Sequence, residues 1–194
     1  MTPTARIVLV RHGPSAYVFR PGRIDRDGVH RWRDEYDVAG IRADSQPPQE
    51  LVQLAAGARH VVSSDLRRAV ESAERLVLQR ELVMSSLLRE TMLDVPRWPT
   101  RMPAIAWEAL AHLVWGYRVL RGMDTTNADR ARAIEAARWL AGLVADGSTA
   151  VAVTHGVFRR QVSLQLRALG WISAGRIGGY DNWSTWSFVN GPSL

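Results

Sequence analysis

Short apolar runs rich in β-branched residues recur along the chain and are separated by segments of helical periodicity. The length and composition of these runs predict β-strands at residues 6–10, 59–63, 82–85, 149–154 and 184–189. Apolar residues at three- and four-residue spacing predict α-helices between them, over residues 66–79, 127–145 and 157–169. The second helix opens at the capping residue Asn127 and ends before Gly147, and the third ends at Gly170.

Strands that alternate with helices predict an α/β fold, here a three-layer α/β sandwich with a mostly parallel central sheet. Residues 17–48 are polar and broken by Gly and Pro, which predicts loops and short helices over one face. Residues 94–103 contain three prolines and predict a rigid loop. No linker composition divides the chain, so residues 1–194 are expected to form a single domain.

The composition is that of an ordinary globular protein, with 46% hydrophobic and 23% charged residues. No apolar run has the length of a membrane helix, and the opening residues are too polar for a signal peptide. We therefore expect a cytoplasmic location and no membrane contact. The lack of cysteine excludes disulfides, thiolate metal sites and thiol nucleophiles.

Arginine supplies all of the basic side chains, because the sequence contains no lysine, and the net charge is +6. Schiff-base chemistry and lysine-based phosphate loops are therefore excluded. A pI near 10.8 is compatible with nucleic acid as a partner. The arginines are scattered, however, with no basic tail or cationic block. Nucleic-acid binding is therefore disfavoured, and anionic substrates remain compatible with the charge.

Two histidines follow apolar strands in the same context, VLVRHG at residues 8–13 and VAVTHG at residues 151–156. Ligands of open α/β sheets bind beyond the carboxyl ends of the strands, which is where His12 and His155 fall. Gly13 and Gly156, which follow the histidines, permit a tight turn that brings backbone N–H groups close to a ligand. Pro14 suits the first residue of a helix. A helix N-terminus beside each histidine would favour a bound anion.

A third polar motif, SSDLRRAVESA at residues 63–73, stands where a strand gives way to a helix. Ser63 or Ser64 could cap this helix, which places Arg67 and Arg68 in its first turn. Cations there oppose the helix dipole by roughly 0.3–1 kcal/mol each. Such a pair is either solvated and locally paired, or one arginine points at an anion that the helix terminus also holds.

With these three motifs in this order, the chain resembles the histidine phosphatase superfamily, also called phosphoglycerate mutase-like. The resemblance implies the same α/β sandwich. It also implies that His12 is the nucleophile that takes the phosphoryl group. Arg11 and Arg68 would bind the phosphoryl oxygens, and His155 would complete the pocket as a further donor.

The chemistry of these residues agrees with the implied roles. A neutral imidazole is a competent nucleophile and splits one displacement into two easier steps. Arginine offers planar, paired donors to the charge on a transferring phosphoryl group. The sequence has no metal-ligand spacing, so neither a metal nor a cofactor is expected.

The resemblance further implies a carboxylic acid that protonates the departing oxygen. Glu90, in LLRETMLD at residues 87–94, matches the position of that acid, and Asp94 is the alternative. Either carboxylate could instead be a surface group paired with a nearby arginine. Many relatives continue RHG with Glu or Gln and then Thr, where this chain has Pro14 and Ser15. Ser15 would then either contact phosphate or begin a helix.

The expected function is metal-independent hydrolysis of a phosphomonoester, or of phosphohistidine on a protein, through a phosphohistidine intermediate on His12. One alternative is a phosphoglycerate mutase-type phosphotransferase, which the compact length disfavours. Another is a non-catalytic phospho-ligand or protein-binding module, against which the presence of both histidines and both arginines counts. The expected partner is a phosphorylated small molecule or phosphoprotein, and the sequence leaves the oligomeric state open.

Overall fold

The computed structural model describes residues 4–18, 22–77, 81–123 and 126–190. These residues contain eight β-strands, β1 to β8 in chain order: Arg6–Arg11, Arg23–Ile24, His60–Ser64, Val83–Ser85, Met102–Pro103, Thr149–Thr154, Trp171–Ile177 and Thr185–Asn190. They also contain six α-helices, α1 to α6: Arg26–Val38, Gln49–Gly57, Arg67–Glu74, Ala104–Leu120, Asn127–Leu143 and Gly156–Ala168.

Six of the described strands form the central sheet, in the order β4-β3-β6-β1-β8-β7. Strands β4, β3, β6 and β1 run parallel to one another. Strand β8 runs antiparallel to β1, and β7 runs antiparallel to β8. The two-residue strands β2 and β5 pair separately. The sheet is mostly parallel, as the alternation of strands and helices predicted.

Alternate residues of β1 supply two hydrophobic cores on opposite faces of the sheet. Ile7 and Leu9 belong to the core that contains the buried residues of α5 and α6. Val8 and Val10 belong to the core that contains those of α2 and α3. Successive side chains of a strand point to opposite faces, so this continuously apolar strand is buried on both. The helices form the two outer layers, and the predicted three-layer sandwich is confirmed.

Helices α1 and α4 pack together in a third cluster. Trp107 of α4 is fully buried beside Val29 of α1, and its indole Nε1 donates to the Ile24 carbonyl at 2.9 Å. Val95 joins this cluster from the segment between β4 and β5. The two helices lie beside the carboxyl end of β1, where both of them line a cavity together with Arg11.

All five predicted strands and all three predicted helices are present, with ends that differ by a few residues. The first predicted helix ends at Glu74 instead of residue 79, and residues 78–79 lie outside the described part of the chain. Helices α2 and α4 and strand β7 were not predicted. Segment 17–48 was expected to hold only loops and short helices, yet it contains the 13-residue α1, whose N-cap Asp25 accepts from Gly28 N at 2.8 Å.

No helix among the described residues is both long and apolar enough to cross a membrane. The cytoplasmic location and the single-domain organisation stay predictions.

Candidate active site

The two motif histidines meet at the carboxyl ends of adjacent parallel strands. Strands β1 and β6 pair with their last residues, Arg11 and Thr154, opposite each other, and a histidine directly follows each strand. His12 N donates to the Thr154 carbonyl at 3.0 Å, and the two imidazole centroids are 5.1 Å apart. His12 is 2% exposed and His155 is fully buried. The two histidines therefore lie side by side at one edge of the sheet.

One hydrogen bond fixes the tautomer of His12. Its Nδ1 lies 2.7 Å from the Gly13 carbonyl oxygen, which can only accept, so Nδ1 carries the proton. Nε2 then has a free lone pair. Burial lowers the pKa of His12 to about 3, and the charges of Arg68 and Arg11 add to this shift. The ring is therefore neutral at ordinary pH, which is the form that can attack phosphorus.

His155 occupies the N-cap position of helix α6, directly before its first residue, Gly156. Neither ring nitrogen of His155 has a hydrogen-bond partner among the described residues, although the ring is fully buried. Burial is the main reason that the pKa of His155 lies well below its usual value, followed by the charges of His12 and Arg68. Buried polar atoms without partners are costly, so these nitrogens suit a bound polar group.

Arg68 projects from the first turn of α3 and is only 1% exposed. Its Nη1 donates to Asp37 Oδ1 at 3.0 Å and to the Tyr36 carbonyl at 3.2 Å. The guanidinium lies over the Tyr36 ring, 4.3 Å from its centroid. Its Nε has no partner in the described ranges. Helix α1 thus holds one edge of this guanidinium and leaves the Nε edge for a ligand.

The segment between β7 and β8 supports the other motif residues from behind. Asn182 Nδ2 donates to the His12 carbonyl at 2.8 Å, and Trp183 N donates to the Arg11 carbonyl at 3.1 Å. The Nη1 of Arg11 donates to the Tyr180 carbonyl. Arg11 Nε, like that of Arg68, is buried without a partner in the described chain.

Sequence reasoning missed Arg159, which lies one turn into α6 and is fully buried. It donates to the Ser184 carbonyl at 2.7 Å and to the Gly179 carbonyl at 2.9 Å, and it packs over Trp186 at 4.3 Å. Burial lowers the pKa of Arg159 to about 10, which leaves it charged at neutral pH. Arg159 therefore anchors the segment that contacts Arg11. The stretch VFRR, which directly follows VTHG, was the only signal for it.

Glu90 occupies the segment after β4, as expected, and lines the same cavity as Arg11 and Arg68. Its carboxylate accepts from three backbone N–H groups, those of Phe158 at 2.8 Å, Thr91 at 2.9 Å and Val157 at 3.3 Å. Two of these donors belong to the first turn of α6. Glu90 is not the surface ion pair that was its alternative interpretation.

The cavity has a volume of about 400 Å³. Besides Arg11, Arg68 and Glu90, its walls include aromatic and charged residues of α1 and α4, namely Trp32, Arg33, Tyr36, Glu108 and His112. Asp94, the alternative acid, is exposed and lines a neighbouring cavity of about 270 Å³ instead. Within the described ranges, no group of His, Asp and Glu side chains could hold a metal ion.

Solved structures resemble this arrangement of strands and helices. A mycobacterial glucosyl-3-phosphoglycerate phosphatase in complex with VO3 aligns with a TM-score of 0.54 at 21% identity, over 94% of this chain and 91% of that one. Phosphoserine phosphatase from Entamoeba histolytica, in complex with 3-phosphoglyceric acid, gives 0.50 at 17% identity, over 84% and 80%. The chain has the histidine phosphatase fold. No family model and no curated protein matches the sequence.

The resemblance that the three motifs carry is thus confirmed for the fold. Within this histidine phosphatase fold, the structure brings together all five residues that the sequence singled out, His12, His155, Arg11, Arg68 and Glu90. Their roles in a reaction stay predictions.

Several local expectations are wrong. No helix begins after His12: Ser15 forms a bridge with Ile41, and Pro14 precedes it without starting a helix. Ser15 Oγ accepts from Tyr17 N at 3.1 Å, so it neither begins a helix nor lines the cavity. Ser15 Oγ also donates to the Gly40 carbonyl at 3.4 Å, so its partners lie in its own turn and in the segment that contains Ile41.

Gly13 and the start of α3 also differ from expectation. A Cβ at Gly13 would lie 2.6 Å from the Trp183 indole, so close packing requires glycine there. Its N–H donates to Ser72 Oγ at 2.8 Å and is not free for a ligand. Neither candidate serine caps α3, because Leu66 is the N-cap and Ser64 Oγ merely accepts from Leu66 N at 3.3 Å.

The buried neutral histidines predict an acid-dependent loss of stability. Between pH 6.5 and about 3 the unfolded chain protonates His12, whereas the folded chain does not. The free energy of unfolding should therefore fall as the pH falls, by up to about 1.4 kcal/mol per pH unit for this group. His12→Asn should flatten that dependence in urea unfolding measured from pH 7.5 to 4.5. Substitution of the exposed His112 is the control, and equal slopes in His12→Asn and wild type would contradict the prediction.

Proposed function

We propose that this protein is a metal-independent phosphatase that hydrolyses a phosphomonoester through a phosphohistidine on His12. The observation that carries the proposal is a neutral, buried His12 with a free Nε2. Its ring lies 5.1 Å from a second imidazole that has no hydrogen-bond partner within the described ranges. The charges of Arg11 and Arg68 both act on His12, and the Nε of each is buried without a partner among the described residues. A lone-pair nucleophile beside several unused cationic or polar donors suits a phosphoryl group.

The proposed reaction has two displacements. In the first, His12 Nε2 forms a bond to phosphorus while the bond from phosphorus to the ester oxygen breaks, and Glu90 gives that oxygen its proton. In the second, a water molecule attacks phosphorus and the P–N bond breaks. Glu90, now a carboxylate, takes the proton from that water and is ready for another cycle. Each step is a single displacement with its own proton transfer.

The charge on the transferring group is balanced by protein side chains. A phosphoryl group in transfer spreads negative charge over three oxygens, and fixed donors stabilise it without reorganisation. Arg11, Arg68 and the ring of His155 would supply those donors. Hydrogen bonds hold both guanidiniums in place, that of Arg11 to the Tyr180 carbonyl and that of Arg68 to Asp37.

Two further observations support a small phosphorylated substrate. The cavity of about 400 Å³ falls in the range of small-molecule sites. The solved structures of similar fold include a phosphatase in complex with inorganic phosphate and one in complex with 3-phosphoglyceric acid. Phosphohistidine on a protein is a second possible substrate, which a substrate panel would test.

Activity should survive excess EDTA, because arginine and histidine side chains supply the positive charge that a metal ion provides elsewhere. The assay is hydrolysis of p-nitrophenyl phosphate and of a panel of phosphomonoesters and a phosphohistidine peptide, with and without chelator. We expect rates within about twofold of each other. Loss of activity in EDTA that one divalent ion restores would overturn the site as proposed.

A further inference from the structure

Arg33 is a cation of the cavity wall that the proposed reaction does not use. It projects from α1 and lines both the cavity that holds Glu90 and the neighbouring cavity of about 270 Å³. Residues 32, 33, 36 and 37 all line the first cavity, and their spacing places them on one face of the helix. Arg33 therefore faces the space where the substrate would lie.

The guanidinium of Arg33 is half-buried, yet no hydrogen bond or ion pair joins it to another residue in the described part of the chain. Burial is the main influence on its pKa, which lies below the usual value, and the charges of Asp94 and Asp37 only partly oppose this. Asp37 is already bound to Arg68 at 3.0 Å. Two other arginines that line this cavity have carboxylate partners, since Arg68 is paired with Asp37 and Arg89 with Asp65 at 2.7 Å.

Arg33 lies on the same helix as the residues that hold Arg68. Tyr36 and Asp37, which bind Arg68, lie three and four residues further along α1. That separation is about one helical turn, or roughly 5 Å along the axis. Arg33 and Arg68 thus line one cavity and are held by neighbouring turns of the same helix, so one small ligand could contact both guanidiniums.

We propose that Arg33 forms a second anion subsite, which binds a carboxylate or a second phosphate on the leaving portion of the substrate. This inference rests on the proposed phosphatase function and narrows its substrate to small phosphomonoesters with a further negative charge. Arginine is suited to this because its planar fork can bind either anion through two N–H donors. Glu108, elsewhere on the cavity wall, would disfavour an anion placed beside α4. The second charge is therefore directed to α1.

The test compares ligands that differ only in the second group. Glycerol 3-phosphate, whose second group is a neutral hydroxymethyl, is the reference. At the same position 3-phosphoglycerate carries a carboxylate, and glycerol 1,3-bisphosphate carries a second phosphate. Their affinities are measured by calorimetry in a His12→Asn background, so that no ligand is consumed. At least one of the two ligands with a second anionic group should bind about 10- to 100-fold more tightly than glycerol 3-phosphate. Comparison of these two ligands identifies whether a carboxylate or a phosphate is preferred.

Arg33→Gln should remove that preference, and Arg31→Gln is the matched control because Arg31 is exposed on the same helix and does not line the cavity. The ratio of affinities is taken within each variant, so a general loss of binding cancels. If Arg33 instead serves only to hold the Asp94 segment, Arg33→Gln will weaken all three ligands equally, which overturns the proposal. A preference that is absent, or that survives Arg33→Gln, also overturns it.

Failure of the phosphatase function is visible separately. It would appear as an absence of phosphomonoester turnover by the protein with His12 intact, whereas the binding preference does not depend on turnover. A preference found without turnover would support the anion subsite and contradict the proposed reaction. Turnover without a binding preference would support the proposed reaction and contradict the anion subsite.

Discussion

Replacement of His12 with asparagine is expected to lower phosphomonoester turnover by at least about 10³-fold, because removal of a nucleophile abolishes the two-step path. Asparagine is chosen because its side-chain amide can still donate to the Gly13 carbonyl, as His12 Nδ1 does at 2.7 Å. The variant therefore loses the nucleophilic Nε2 while it keeps the local hydrogen bond. Initial rates with p-nitrophenyl phosphate measure the loss.

A rapid-quench experiment adds a direct test of the intermediate. A labelled phosphomonoester should transfer its phosphoryl group to wild-type protein as an acid-labile, base-stable adduct, and His12→Asn should form none. Circular dichroism of the variant serves as the control for folding. Turnover by His12→Asn near the wild-type rate would refute the proposed mechanism.

Replacement of Glu90 with glutamine is expected to slow alkyl phosphates by about 10²–10⁴-fold, the usual contribution of a general acid. An alkoxide is a poor leaving group and needs the proton, whereas nitrophenolate leaves readily without it. The kcat/KM for p-nitrophenyl phosphate should therefore fall much less than the kcat/KM for an alkyl phosphate. The measurement is kcat/KM for each substrate, and the ratio between them is the result of interest.

That ratio separates two roles of Glu90. Its carboxylate also accepts from Val157 N and Phe158 N, so the substitution weakens the start of α6. A purely structural defect would slow both substrates equally. Asp94→Asn is the control, since Asp94 lines the neighbouring cavity and should show no dependence on the leaving group. If the dependence follows Asp94 and not Glu90, the assignment is wrong.

The sequence predicted those parts of the fold where a local pattern determines the structure. Residues 7–10 of strand β1 are all apolar because both faces of the strand are buried there, and such a run is recognisable in the sequence without knowledge of its partners. The pairing of His12 with His155 could be anticipated for a related reason. Each ends a strand of a parallel sheet, and those ends meet at one edge.

The parts that were missed depend on contacts between distant residues. Helix α4 is apolar on buried and exposed faces alike, with Trp107 inside and Leu113 outside, so its pattern has no single apolar stripe. In the sequence, Arg159 is an ordinary arginine of a helix. Its role depends on the hydrogen bonds that it donates to segment 178–184, which is distant in the sequence. Arg33 gains significance only when α1 packs beside β1 and α3.

Val157 N and Phe158 N, in the first turn of α6, donate hydrogen bonds to the carboxylate of Glu90. The strength of these two bonds therefore depends on whether Glu90 carries a proton. A protonated carboxyl accepts backbone hydrogen bonds less strongly than a carboxylate does. The amides of Val157 and Phe158 should then exchange with deuterium faster while Glu90 holds a proton. Exchange at these two amides would reveal which half of the catalytic cycle the protein occupies, with no label on the substrate.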